Sequence, residues 1–201
     1  QLTEDRKTVY YSLLDVSVPR PAYFGGADLY RMDLVSRREE AVAKSRPDFN
    51  IAAYALGKSF LLLLAADGKY GMNTDVDFYT LDYETLAVSP CAVYGESIGS
   101  SVGSDIRHGG GRTMKMDGDV LYFISTRFDS AGLYKLENGV VSPVVERGGS
   151  IDCFDRRGGK MLLCALWDMR AQELYDEAGA RVTHFNDAAL RGKYVARPET
   201  L

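Results

Sequence analysis

Two overlapping Gly-x-Ser-x-Gly pentapeptides, Gly95-Glu96-Ser97-Ile98-Gly99 and Gly99-Ser100-Ser101-Val102-Gly103, stand just ahead of His108-Gly109-Gly110-Gly111. In an esterase the first pattern lifts a nucleophilic serine on a strand-to-helix turn, and the second lines an oxyanion loop. The context here opposes that chemistry. No helix-forming stretch follows either serine, because Ser104-Asp105-Ile106-Arg107-His108 runs into three glycines. The glycine loop also comes after the serines instead of on an earlier turn. The only other histidine, His184, lies late in the chain among outer-strand residues. The expectation is a glycine-serine loop and no catalytic residue.

Two acidic patterns are equally weak. Asn73, Asp75, Asp77 and Glu84 occupy the first, third, fifth and twelfth places of a calcium-loop spacing. Phe78 takes the sixth place, where the sharp turn needs glycine, and strands replace the flanking helices. Glu39-Glu40 has the composition of a clamp for a substrate amine, but neighbours on a strand point to opposite faces, which suits a solvated outer edge. No metal and no cofactor is expected. The more informative cluster is Asp105, Arg107 and Arg112 around Gly109-Gly110-Gly111: the glycines free the backbone for close approach, and arginine offers a planar fork for carboxylates. An Asp-Arg pair pinning the loop is one reading; contact with a peptide or a neighbouring domain is the other.

The elements that would position this loop repeat along the chain. An apolar residue followed by tyrosine recurs at Leu29-Tyr30, Phe78-Tyr79, Leu133-Tyr134 and Leu174-Tyr175. Ahead of the last three lies a dense apolar run (FLLLLAA, VLYFIST, MLLCAL) introduced by a glycine turn. Strand-rich repeats spaced by roughly 40 to 55 residues are the mark of propeller blades. The second unit reads Asn50 to Leu56, Ser59 to Ala66, Asp77 to Asp82 and Leu86 to Val93. The third reads Thr113 to Met116, Val120 to Thr126, Gly132 to Glu137 and Val140 to Glu146, with Asn138-Gly139 as a type I′ hairpin turn. The fourth reads Ser150 to Arg156, Met161 to Leu166, Glu173 to Asp176 and Arg181 to Phe185. The first is clipped to Val9 to Val16, the Leu29-Tyr30 strand and Arg38 to Val42. Arg38 to Lys44 and Gln172 to Glu177 have helical propensity, but register with the other repeats favours strand. After Phe185 the pattern stops, and Asn186 or Asp187 can cap a helical turn through Leu190.

The predicted fold is all-β: a partial, open β-propeller of about four antiparallel blades over residues 1–185, followed by an exit linker over 186–201. Its exposed end blades predict a homo-oligomer. A formal charge of -4 with scattered basic residues lacks the footprint of a nucleic-acid binder. The longest apolar run, Phe60 to Ala66, is far short of a membrane span, and Gln1-Leu2-Thr3-Glu4-Asp5 is no signal peptide. Three cysteines, with Cys164 inside an apolar run, suggest a reduced, cytoplasmic protein. The lack of an initiator methionine suggests a piece of something longer.

The stretch Ser97 to Gly118, SIGSSVGSDIRHGGGRTMKMDG, resembles the propeller of acylaminoacyl-peptidase-like members of the prolyl oligopeptidase family of serine peptidases. So do Gly149 to Asp155, Gln172 to Tyr175 and Thr183 to Asn186. The resemblance implies a propeller capping an α/β-hydrolase domain of the same polypeptide, and a role in filtering short or N-acylated peptides. It carries over no triad residue, since no position here matches one. A stand-alone propeller used for protein binding is the alternative.

Overall fold

The computed structural model describes every residue except 18–25, 72–73, 100–101, 103–109, 169 and 196–201. The chain forms two compact units, Gln1–Gly95 and Glu96–Leu201.

In the first unit, β1 (Thr8–Leu13), β2 (Asp28–Asp33) and β3 (Glu39–Ala43) make a three-stranded antiparallel sheet. Leu2 bridges to Val9 as the remnant of an inner strand. β4 (Asn50–Leu56), β5 (Phe60–Ala66), β6 (Asp77–Asp82) and β7 (Val88–Ala92) make a complete four-stranded blade. The two sheets share a core of Tyr10, Leu29, Val42, Ile51, Leu61, Leu63 and Leu81. β5 is buried from Leu61 to Ala66, as a middle strand apolar on both faces must be.

The second unit holds β8 (Ser97–Ile98), β9 (Met114–Asp117), β10 (Val120–Arg127), β11 (Ser130–Glu137) and β12 (Val140–Val145), then β13 (Ser150–Arg157), β14 (Lys160–Leu166) and β15 (Glu173–Asp176). β9 to β12 pair in antiparallel sequence as one blade, and β13 to β15 as the next. A single parallel contact, Ala131 with Ser150, joins them. Their shared core is built around Ile124, Leu133, Phe154, Leu163, Trp167 and Tyr175. Asn138 and Gly139 both have positive φ, 51° and 76°, as the type I′ turn requires.

The apolar-Tyr repeat marks a specific backbone event. In three blades the pairing register between the third and outer strands shifts between the two residues of the motif, at Leu29/Tyr30, Phe78/Tyr79 and Leu133/Tyr134. The outer strand carries the extra residue, and Pro90 and Pro143 stand opposite two of the tyrosines. A bulge on an outer edge is where proline's missing N–H costs least, and it bends the edge away from further pairing.

Two expected elements differ. β1 ends at Leu13, short of Val16. The outer strand expected from Arg181 to Phe185 reduces to one bridge, Tyr175 with Arg181. Its backbone is diverted: the Glu173 carboxylate accepts from the Phe185 and Asn186 N–H groups at 3.1 and 2.8 Å, so those donors do not enter a ladder. Helix α1 (Asp187–Leu190) follows with Asn186 at its N-cap, although the Asn186 side chain donates to Gln172 and Glu173 and caps nothing.

Candidate functional site

Of the three residues singled out around the glycine loop, Asp105 and Arg107 lie outside the described residues; Arg112 is described and exposed. The Arg112 carbonyl accepts from the Phe154 N–H at 3.1 Å, which ties the loop's exit to β13. Gly111, at φ +90°, rests on Cys153: a Cβ there would stand 2.5 Å from both Cβ and Sγ of that cysteine. This is the close backbone approach that glycine permits.

Beyond Arg112, β9 and β13 are stitched by charge. The Lys115 ammonium donates to Asp155 Oδ1 and to the Arg156 carbonyl, each at 2.5 Å. Arg156 Nε donates to Asp117 Oδ2 at 2.7 Å, and its guanidinium lies 4.6 Å over the Tyr122 ring. The Lys115 hydrogen bond, with smaller help from the Arg112 charge, holds the Asp155 carboxyl below its ordinary range. The result is a polar seam whose charges are paired, with the exposed Arg112 at one end. It can orient a carboxylate; among the described residues it contains no nucleophile next to a base.

The other chemical candidates resolve into structure. Ser97 sits on the short strand β8, paired with Thr126 of β10, and Gly99 follows with φ +78° where an elbow needs a helix. Ser101 and His108 lie outside the described residues, as does Asn73. Asp77 accepts from the Tyr94 N–H, and the Glu84 N–H donates to Asp82 in a turn. Glu39 accepts from the Tyr11 hydroxyl and Glu40 from Arg31 at 2.7 Å, so the adjacent glutamates serve different partners.

His184 approaches Asp187 at 3.0 Å, but the carboxylate also accepts from Arg170 at 2.8 Å and from Arg181 at 2.6 Å. Hydrogen bonds from Arg181 and then His184 hold Asp187 far below the usual carboxylate range. This is an ion cluster fastening the segment after β15.

Sequence reasoning missed Glu173, which is 1% exposed and accepts from Thr183 Oγ1, two backbone N–H groups and Asn186 Nδ2. It also missed the cleft of about 470 Å³ in the first unit, lined by Ser12, Gly26, Ala27, Leu29 and the Asn50–Tyr54 stretch of β4. Among the described residues no cluster of three acidic, histidine or cysteine side chains is arranged for a metal. No helix among them is long and apolar enough to cross a membrane.

No protein-family model matches the chain, and no curated protein does. Solved structures do. The β-propeller domain of the trilobed protease from Pyrococcus furiosus, described as having an open velcro topology, matches with TM-score 0.63 and 19% identity. That match covers 90% of this chain and 53% of that one. Acylaminoacyl peptidase from Pyrococcus horikoshii matches with TM-score 0.66 and 20% identity, over 93% of this chain and 27% of the other. A prolyl endopeptidase studied for inter-domain dynamics matches with TM-score 0.60 and 14% identity, over 90% and 27%. The chain thus spans about half of the first of these and about a quarter of the other two. What these matches show is the fold, that of part of a β-propeller.

Proposed function

We propose that the chain is a non-catalytic part of the β-propeller of a serine peptidase acting on short or N-acylated peptides. In this reading it gates access to an α/β-hydrolase active site on the same polypeptide, and residues 186–201 lead toward that domain. The observation that carries the reading is the match of 93% of the chain to an acylaminoacyl peptidase. Ser97, held in a strand pair with no helix behind it, supports a non-catalytic role. A propeller in this position filters substrates by size and helps to exclude water from the chemistry.

A fluorophosphonate probe tests it. The parent polypeptide is expected to be labelled outside residues 1–201, and the isolated chain to stay unlabelled. Labelling at Ser97 or Ser101, or no labelling of the parent at all, overturns the reading.

Arg112 is the residue of this chain proposed to meet substrate, together with Arg107. An exposed guanidinium pairing with a carboxylate contributes about 1 kcal/mol. Arg112→Ala in the parent enzyme is therefore expected to raise KM for carboxylate-ended peptides about fivefold with kcat little changed. Equal KM values for wild type and variant remove Arg112 from the substrate path.

A further inference from the structure

Cys153 on β13 and Cys164 on β14 are cross-strand partners. The Phe154 N–H points away from β14, to the Arg112 carbonyl. Phe154 and Leu163 are therefore a non-hydrogen-bonded pair, and Cys153 with Cys164 is the adjoining hydrogen-bonded one, whose Cα atoms stand about 5.5 Å apart. That separation falls inside the range a disulfide accepts, about 4.4 to 6.8 Å. The Cβ atoms of such a pair are about 5.5 Å apart, against about 3.8 Å in a disulfide, so closure must draw the strands together locally. A register shift between Ile151 and Cys153 lies immediately before the pair, where a bulged strand bends most readily. A bridge made this way is strained, and strained bridges are the readily reduced ones.

The second blade supplies a control within the same chain. It has the same register shift, between Ile51 and Ala53, and its cross-strand pair at that place is Ala53 with Leu64. The blade architecture thus forms without sulfur there, and the two thiols are not a packing requirement.

We propose that Cys153 and Cys164 are a thiol-redox modification site that closes reversibly to a disulfide beneath the backbone of Gly111. With hydrogen peroxide as oxidant, the Cys153 thiolate attacks one peroxide oxygen and becomes a sulfenic acid as water leaves. The Cys164 sulfur then attacks Cys153 Sγ, the S–O bond breaks, and the proton released by Cys164 leaves with hydroxide as a second water. Two thiols lose two electrons and two protons in all, and the peroxide is reduced to two waters. Burial, then the neighbouring Cys153, pushes the Cys164 thiol up to about 12, which makes it the resolving thiol and directs the first oxidation to Cys153. Because Gly111 sits against Cys153 Sγ, moving that sulfur toward Cys164 changes the support of the backbone that carries Arg112. The chemistry itself does not depend on a peptidase role for the chain.

The test treats the full chain with hydrogen peroxide, then alkylates it and measures intact and peptide masses. The expected result is loss of two hydrogens, protection of Cys153 and Cys164 from alkylation with Cys91 still reactive, and full reversal by dithiothreitol. Cys153→Ala and Cys164→Leu, which restore the second-blade pair, keep the fold and lose the mass change. Hydrogen exchange at the Phe154 amide is expected to quicken in the oxidised protein. Independent oxidation of both thiols to sulfinic acids, a bridge through Cys91, or continued alkylation of both cysteines overturns the proposal, whatever the outcome of the labelling experiment on the parent.

Discussion

Replacement of Glu173 by alanine is expected to lower stability by about 3 kcal/mol, read from the urea midpoint. The carboxylate is 1% exposed and accepts four hydrogen bonds, from Thr183 Oγ1 at 2.5 Å, Phe185 N at 3.1 Å, Asn186 N at 2.8 Å and Asn186 Nδ2 at 3.0 Å. Truncation strands these donors beside an apolar core, which is where an unmade hydrogen bond costs most. Glutamine does not rescue, because its NH₂ would face the backbone donors that the second carboxylate oxygen now accepts.

The same geometry sets a pH dependence. Burial alone would raise the Glu173 pKa, but the hydrogen bonds from Thr183, Asn186 and Phe185 outweigh it and hold the group at about 2, below its ordinary value of 4.5. A carboxyl whose folded pKa is depressed contributes stability that is fully present above its unfolded pKa. That contribution is lost as pH falls through the folded value. The stability difference between wild type and Glu173→Gln is therefore expected to shrink by about 3 kcal/mol between neutral pH and about pH 2. Taking the difference cancels Asp187, Asp82 and the other depressed carboxylates, which titrate in both proteins. A difference that stays constant over this range would show that Glu173 is held by packing and not by its charge.

Glu173 also shows where sequence reasoning ran out. Alternation and register placed Gln172 to Glu177 on a strand, and β15 is there. Nothing in a strand pattern says that one of its glutamates is buried, since that follows from the path of residues 183–186 folding back over it. The same contact explains the curtailed outer strand: repeat register favoured Arg181 to Phe185, and one carboxylate takes the Phe185 and Asn186 N–H groups while Val182 still donates to Leu174. Local chemistry was read well where a residue dictates its own conformation, as at Asn138-Gly139.

The candidate site was legible only in part, for a related reason. A run of glycines announces a close approach but not what is approached, and the partner, Cys153, is 42 positions away from Gly111 by subtraction of their numbers. The Lys115–Asp155 and Arg156–Asp117 pairs likewise join side chains of two different blades, with no spacing to betray them. The apolar-Tyr motif announced strands correctly. Its second meaning, a register shift opposite an edge proline, emerges only when the third and outer strands are laid side by side.

Gly111→Ala should cost about 3 kcal/mol, and Gly110→Ala only about 1 kcal/mol. Both glycines have positive φ, +90° and +84°, so both alanines meet the backbone penalty of the left-handed region. They differ in what the new methyl meets. At Gly110 nothing lies within 4 Å, whereas at Gly111 it would stand 2.5 Å from Cys153 Cβ and Sγ. Sγ can rotate away; Cβ is fixed to β13, so the loop or the strand must give. The yielding contact is expected to be the Phe154 N–H to Arg112 carbonyl bond, the nearest tie between them. Amide exchange at Phe154 should therefore quicken in Gly111→Ala and stay as in wild type in Gly110→Ala. Adding Cys153→Gly removes the obstructing Cβ and should recover part of the loss, while Cys153→Ala keeps the Cβ and recovers less. Equal losses for the two alanine variants, or no difference between the two cysteine replacements, would mean that the glycine loop does not bear on Cys153.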